Sequence, residues 1–300
     1  MRPLRFPARL LCTLLLAGLL GASTTLAQTP ARTLSDTVPL NARGAVTVDN
    51  HEGRIVIDTW DRDEVRYEIR IMPTEDDPDA EETAVEIDRS SDRLQLATTH
   101  ADGGGSGLFN WLWSGSDIAD VHYLLTVPRT AALTIDDHES DIEVTGLQGT
   151  LRIDTHEGPI TVADQGGNLL IDSHESEMDL RNVEGNLEID THEGEITIAN
   201  LRGGFRLDAH DADAEVTFAA LTDEVDIDTH DGRITLRLAA DAAFDLRTDL
   251  DDDADLNTEF TLDAIRVTDD DEVNYRGAVN GGGPRVYLAS SNGDFALRIR

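Results

Sequence analysis

The chain has 300 residues and sets 24 basic against 60 acidic side chains, every base an Arg, for a formal charge of −36. A surface so anionic repels nucleic acid and anionic lipid, so the expected company is cations or a basic partner. Hydrophobic residues make up 39% and aromatics 5%, enough for a core built mostly of aliphatics.

Residues 1–27 read as an address. Arg2, Arg5 and Arg9 precede the apolar run Leu10 to Leu20, and Thr25-Leu26-Ala27 suits cleavage before Gln28, so a signal peptide and export to the periplasm, cell surface or medium are expected. The run is too short for an ordinary spanning helix and no later one approaches 18 residues, so the mature chain is expected to hold no transmembrane segment. Cys12, the only cysteine, sits in that run behind Leu11, where a lipoprotein signal would place a small residue. Losing three Arg takes the charge to −39. An exported chain without disulfides favours a fold dense in backbone hydrogen bonds.

Residues 28–43 are expected to be a linker and 44–300 a single domain. Asp49-Asn50-His51-Glu52, followed nine residues later by Asp58-Thr59-Trp60-Asp61, reads as paired half-repeats. Longer strands are expected at Val65 to Ile71, Arg93 to Thr98 and Val121 to Val127. Asp77-Pro78 predicts one short helix over Asp79 to Val85, with Asp77 as its cap. Between glycine-rich segments lie Leu108, Phe109, Trp111, Leu112 and Trp113, an aromatic cluster that either caps the fold or binds a partner.

An internal repeat then sets the fold. Histidines fall at 138, 156, 174, 192 and 210, four steps of 18, and again at 230. Each closes the same phrase, as in Ile153-Asp154-Thr155-His156-Glu157, and a second apolar pair such as Ile160/Val162 follows. Regular repeats over about 133–238 therefore hold two short alternating strands each. A unit this small buries its apolar face only by stacking on its neighbours. The expected fold is all-β: a single-domain β-solenoid, or β-helix, of about 18-residue coils with two short strands per coil. Leu151, Ile153 and Thr155 face inward and Arg152, Asp154 and His156 outward. An antiparallel meander or sandwich competes, but it requires no constant spacing. After Leu238 come an acidic stretch, Asp249 to Asp255, and closing strands at Val286 to Ala289 and Phe295 to Ile299.

Stacking in register aligns Asp136, Asp154, Asp172, Asp190, Asp208 and Asp228 in one column and His138, His156, His174, His192, His210 and His230 in another. Carboxylates about 4.8 Å apart repel by roughly 0.9 kcal/mol in water. Protonated imidazoles or bridging divalent cations would neutralise them, with zinc, nickel or copper suiting imidazole plus carboxylate and calcium suiting carboxylate alone. These twelve residues are the candidate metal ligands, for a possible cation such as zinc or calcium and no other cofactor. The plainer alternative is a solvated acidic face copied by duplication. Asp249, Asp251, Asp253 and Asp255 miss the EF-hand pattern at Ala254 and Phe260. Six equivalent acids spread evenly do not make the split pair that an acid–base site needs.

Gly53-Arg54-Ile55-Val56-Ile57-Asp58-Thr59-Trp60-Asp61-Arg62-Asp63-Glu64-Val65, the Tyr123 to Pro128 strand, the repeats, and Asn280-Gly281-Gly282-Gly283-Pro284 with Ser291-Asn292-Gly293-Asp294 resemble the bacterial β-strand-repeat proteins classed as candidate adhesins, relatives of the GIN head domain. The resemblance spans about residues 40 to 300. It implies an exported or surface-associated β-solenoid and carries over no catalytic residue. The family tends toward Ser-Gly-Asp where this chain writes His-Glu-Gly, so the histidine column is its own feature. The expected function is a non-enzymatic structural or adhesive module at the cell envelope, its partner a protein or glycan of the envelope or surface. The alternatives are a periplasmic divalent-metal-binding protein and, more weakly, a carbohydrate-active β-helix enzyme.

Overall fold

The computed structural model describes residues 32–72, 83–100, 119–251, 253–269 and 272–300. The expected signal peptide and the cluster Leu108, Phe109, Trp111, Leu112 and Trp113 lie outside the described residues, as do residues 77–82 of the expected helix. All regular structure among the described residues is β. The N-terminal strands are β1 (Arg32–Pro39), β2 (Ala45–Asp49), β3 (Glu52–Trp60), β4 (Glu64–Ile71), β5 (Thr83–Arg89), β6 (Arg93–His100) and β7 (Val121–Pro128). The repeat region holds β8 (Ala132–Asp136), β9 (Glu139–Thr145), β10 (Leu151–Glu157), β11 (Ile160–Gln165), β12 (Leu169–Glu175), β13 (Met178–Val183), β14 (Leu187–Asp231) and β15 (Arg233–Leu238). The chain closes with β16 (Phe244–Leu250), β17 (Asp255–Thr258), β18 (Asp263–Asp269), β19 (Glu272–Val279), β20 (Arg285–Ser290) and β21 (Asp294–Ile299).

The architecture is β-solenoid-like, and its register is parallel at the repeat distance. Leu151 pairs with Leu169 and Leu133, Ile153 with Ile171, and Ile160 with Met178 and Ile142. A sandwich of hairpins would run these neighbours antiparallel. Alternation sends every second side chain inward. Leu151 and Ile153 are fully buried with Thr155 below them, whereas Arg152, Asp154 and His156 face solvent. The resulting internal columns of Leu, Ile, Val and Met fill one continuous core. β14 is a single 45-residue run of extended backbone that turns its corners without breaking strand geometry, through Gly194, Asn200 and Gly203 at positive φ.

Two corner ladders keep the turns in line. Asp164, Asn182 and Asn200 all adopt left-handed backbone, at φ of 57°, 55° and 63°. Their side chains bond along the stack, Asn200 Nδ2 to Asn182 Oδ1 at 3.1 Å and Asn182 Nδ2 to Asp164 Oδ1 at 2.7 Å. Asn and Asp tolerate this conformation better than other chiral residues, and here they also satisfy one another. Three residues further round the same corner Gly203 stacks on Gly185, and a Cβ on Gly203 would run into the Gly185 carbonyl.

The ends are closed by threading, which the sequence did not announce. β2 lies between β6 and β8, and β3 between β7 and β9, so the first regular turn is covered by later chain. At the far end β20 inserts between β14 and β16, and β21 between β15 and β17. Antiparallel pairs finish each end: β1 with β4, β4 with β7, β5 with β6, and β19 with both β16 and β18. Part of the segment expected to be linker, Arg32–Pro39, is thus strand β1. Thr83 to Val85, expected to end a helix, open strand β5 instead, because pairing with β6 supplies the backbone bonds a two-turn helix would have supplied alone.

Candidate functional site

The outward histidines form one stack. Ring centroids are 4.9 Å apart for His51 and His138, 5.1 Å for His138 and His156, 4.7 Å for His156 and His174, and 4.8 Å for His174 and His192. The series continues at 4.7 Å to His210 and 4.9 Å to His230. From His138 to His210 the planes deviate by 5° or less. The spacing is that of hydrogen-bonded strands, so the backbone register dictates the stack. His51 is a seventh member beyond the six expected, and Asn292 ends the column with Nδ2 at 3.5 Å from His230 Nδ1.

Acid columns flank the rings on both sides. Asp49 joins the expected aspartates by pairing with Asp136, and the column is bounded by Ala97 and Ala289, the partners of Asp49 and Asp228. The residue after each histidine supplies another: Glu52, Glu139, Glu157, Glu175 and Glu193 pair in succession, and Asp211 and Asp231 extend the series in sequence. His156 Nδ1 stands 3.4 Å from Glu157 Oε1, and His192 Nδ1 stands 3.6 Å from Glu193 Oε1. Glu157 and its equivalents were visible in the repeated phrase as His-Glu, but their role as a column became plain only with the stack.

The aspartate column shows its mutual repulsion. Burial and then Asp136 push the Asp49 carboxyl up to about 6. Burial and then Asp154 raise Asp136, and the same two causes, burial followed by Asp208, raise Asp190 and Asp228. Arginines on the same face offset part of this. Arg152 lies 3.3 Å from Asp154 and 4.0 Å from Asp172, and Arg206 lies 3.9 Å from Glu188. These pairs are half exposed, so each contributes at most about 1 kcal/mol. Arginine is a neutraliser beyond the imidazole and metal considered from the sequence.

Beneath the column, inward residues at the same corner form a polar chain. Tyr123 Oη donates to Thr98 Oγ1 at 2.8 Å, since Thr98 gives its own proton to Asn50 Oδ1 at 2.8 Å. Asn50 Nδ2 donates to Ser140 Oγ at 3.1 Å, and Ser140 Oγ donates to Asp137 Oδ1 at 2.6 Å. Thr155 Oγ1 approaches Asp137 Oδ2 at 3.2 Å. Asp137 is therefore the terminal acceptor. Even so, burial outweighs the donors, and its carboxyl is pushed up to about 7. Burial also raises the Tyr123 phenol.

A corner groove of about 380 Å³ lies beside this chain, lined by Glu52, Asp120, Glu139, Asp141 and Glu157 around Ser140. Among the described residues no three or more His, Cys, Asp or Glu side chains converge as a ready metal cage. The structure brings the twelve candidate ligands into two parallel rows. Asp249 stands apart from them as a partner of Ala289 and accepts a hydrogen bond from Tyr287 at 3.2 Å.

Solved structures similar to the chain include a candidate cell adhesion protein from Clostridium sporogenes, at 11% identity and TM-score 0.24, covering 90% of this chain and 100% of the other. A candidate adhesin from Bacteroides fragilis matches at 10% identity and TM-score 0.33, covering 90% and 98%. A candidate lipid binding protein from Parabacteroides distasonis matches at 8% identity and TM-score 0.37, covering 89% and 97%. Comparison with the curated proteins gives no match. Residues 45–298, from β2 through the threaded closing strands, match the family described as Toastrack DUF4097, and the chain belongs to that family.

Proposed function

We propose that the chain is an exported structural or adhesive module of the cell envelope that works by binding rather than by turnover. In this reading it is one solenoid of 18-residue coils with two strands each, released by cleavage before Gln28. The observation that carries the proposal is the evenness of the outward face. From Asp154 to Asp208 and from His156 to His210 the same side chains recur at every coil, and within this outward face no carboxyl pair is set apart as acid and base. A repeating face suits a repeating or extended partner, such as an envelope glycan or a basic protein segment. Among the described residues no helix is long and apolar enough to cross a membrane.

The test is co-sedimentation of the mature chain with a purified bacterial envelope fraction, with mass spectrometry of the soluble phase. Saturable binding that weakens as salt rises, with no released fragments, is the expected result. Fragments that accumulate with time would make it a carbohydrate-active enzyme, and absence of sedimentation would refute adhesion. N-terminal sequencing of the exported protein should read from Gln28.

A further inference from the structure

We propose that the imidazole column is a loading strip for a divalent transition ion of the zinc class, each ion held by Nε2 atoms of two rings on neighbouring rungs. This goes beyond adhesion and stands independently of it. Two features of the geometry point to it. The first is the stack itself: seven rings in sequence, each 4.7–5.1 Å from the next. The second is the flanking acid. Glu157 stands 3.4 Å from His156 Nδ1 and Glu193 stands 3.6 Å from His192 Nδ1, so the acid faces Nδ1 and Nε2 is the nitrogen turned away from it to serve as the donor. Closing that gap to hydrogen-bond distance would give the carboxylate–histidine–metal arrangement found around bound zinc.

The distances decide how an ion would sit. Two nitrogens on one tetrahedral zinc, each at 2.0–2.1 Å, lie about 3.4 Å apart. Neighbouring rings must therefore lean together by about 1.4 Å in total. His156 and His192 keep 47% and 46% of their side chains exposed, so the lean displaces solvent and no core atom. Among the described residues no three such ligands converge as a ready cage, so each site has to be formed by that lean. Imidazole selects zinc, nickel or copper over calcium, which takes oxygen ligands, and the two acid columns concentrate any cation along the strip. Each ion uses two rings, so seven rings take at most three ions.

Adjacency makes the test sharp. In one variant His138, His174 and His210 become Gln, leaving four rings with no two adjacent. In a second, His192, His210 and His230 become Gln, leaving His51, His138, His156 and His174 as an unbroken run. Both lose three imidazoles and keep every carboxylate. Equilibrium dialysis against zinc at pH 7.5 should load close to three ions on the unaltered chain and about two on the second variant. On the first, affinity should fall tenfold or more. Equal uptake by the two variants, or displacement of zinc by an equal concentration of calcium, would overturn the proposal. Circular dichroism checks that both variants fold. On the unaltered chain, zinc X-ray absorption should show two imidazole nitrogens per ion, and an all-oxygen shell would also overturn it.

Discussion

Replacing Asp137 by Asn should stabilise the protein, increasingly so as pH rises. Asp137 is 8% exposed and its folded carboxyl titrates near 7, against 3.8 for the ordinary group. A carboxyl raised on folding binds more protons in the native state than in the unfolded one. Stability is therefore lost as pH climbs from about 4 to about 7 and is level above that. The full cost of ionising this buried acid is about 4 kcal/mol, of which about 2 kcal/mol is already incurred at pH 5.5. Asn fits the site. Its Oδ1 accepts from Ser140 as Asp137 does, and its Nδ2 can donate to Thr155 Oγ1, which then gives its own proton to the Glu157 carbonyl at 3.1 Å. Backbone N–H groups of Ser140 and His138 also face the carboxyl, and one mismatched donor costs about 1 kcal/mol at any pH. The stability gain of Asp137→Asn should thus grow by about 2 kcal/mol between pH 5.5 and 8.5. Urea melts of both proteins at those pH values measure it. A difference that stays constant with pH would show that Asp137 does not carry the raised carboxyl and would refute the reasoning.

Other perturbations separate the ladders. Asn182→Ala removes the amide bridge between Asp164 and Asn200 and leaves a non-glycine residue at φ 55°; it should cost about 1–2 kcal/mol in urea melts, with Asn182→Gly costing less. Gly203→Ala drives a methyl into the Gly185 carbonyl and should destabilise by more than the helix-scale ~1 kcal/mol for a glycine change, read as a lowered melting temperature. Ile171→Ala opens a cavity between Ile153 and Ile189 and should cost about 2–5 kcal/mol in the same melts. Gln165, 1% exposed and paired with Val183, satisfies Gly149 O at 2.8 Å with its Nε2, while its Oε1 finds no partner among the described residues. Gln165→Leu should therefore come within about 1 kcal/mol of the parent by denaturant melt, where a well-satisfied buried amide would lose more.

The parts of the fold legible in the sequence are those where neighbours in space are also neighbours in the repeat. Ile153, Ile171 and Ile189 announce their own alignment, because a constant step of 18 and parallel register are the same statement. His51 escaped that logic. Its spatial neighbour is His138, and the chain between them holds β3 to β8, so no period connects the two. The closing strands were legible, and β20 and β21 lie where they were expected, but their threading escaped for the same reason: β20 seats against β14 after the excursion through β16 to β19. The helix expected from Asp77-Pro78 rested on a local cap, and at Thr83–Val85 sheet pairing prevailed over it. The Asp164, Asn182, Asn200 ladder, by contrast, was open to discovery, since those residues also recur every 18 positions and their residue types are the ones that accept left-handed backbone.

Register has an electrostatic consequence that the apolar columns must outweigh. A parallel stack repeats the inward residues as favourable contacts, and by the same geometry it repeats the outward acids as unfavourable ones. Seven aspartates from Asp49 to Asp228 make six adjacent pairs, worth about 5 kcal/mol of repulsion in water and about half that at physiological salt. The glutamate column adds a comparable amount. Arg152 and Arg206 relieve the column around Asp172 and Asp190, and at one end the Asp49 carboxyl answers the repulsion by being pushed up to about 6. These charges offset the repulsion along the column without abolishing it. Any cation, basic segment or metal ion that settles there recovers free energy the fold has already spent, so affinity for a positive partner follows from the fold's own register.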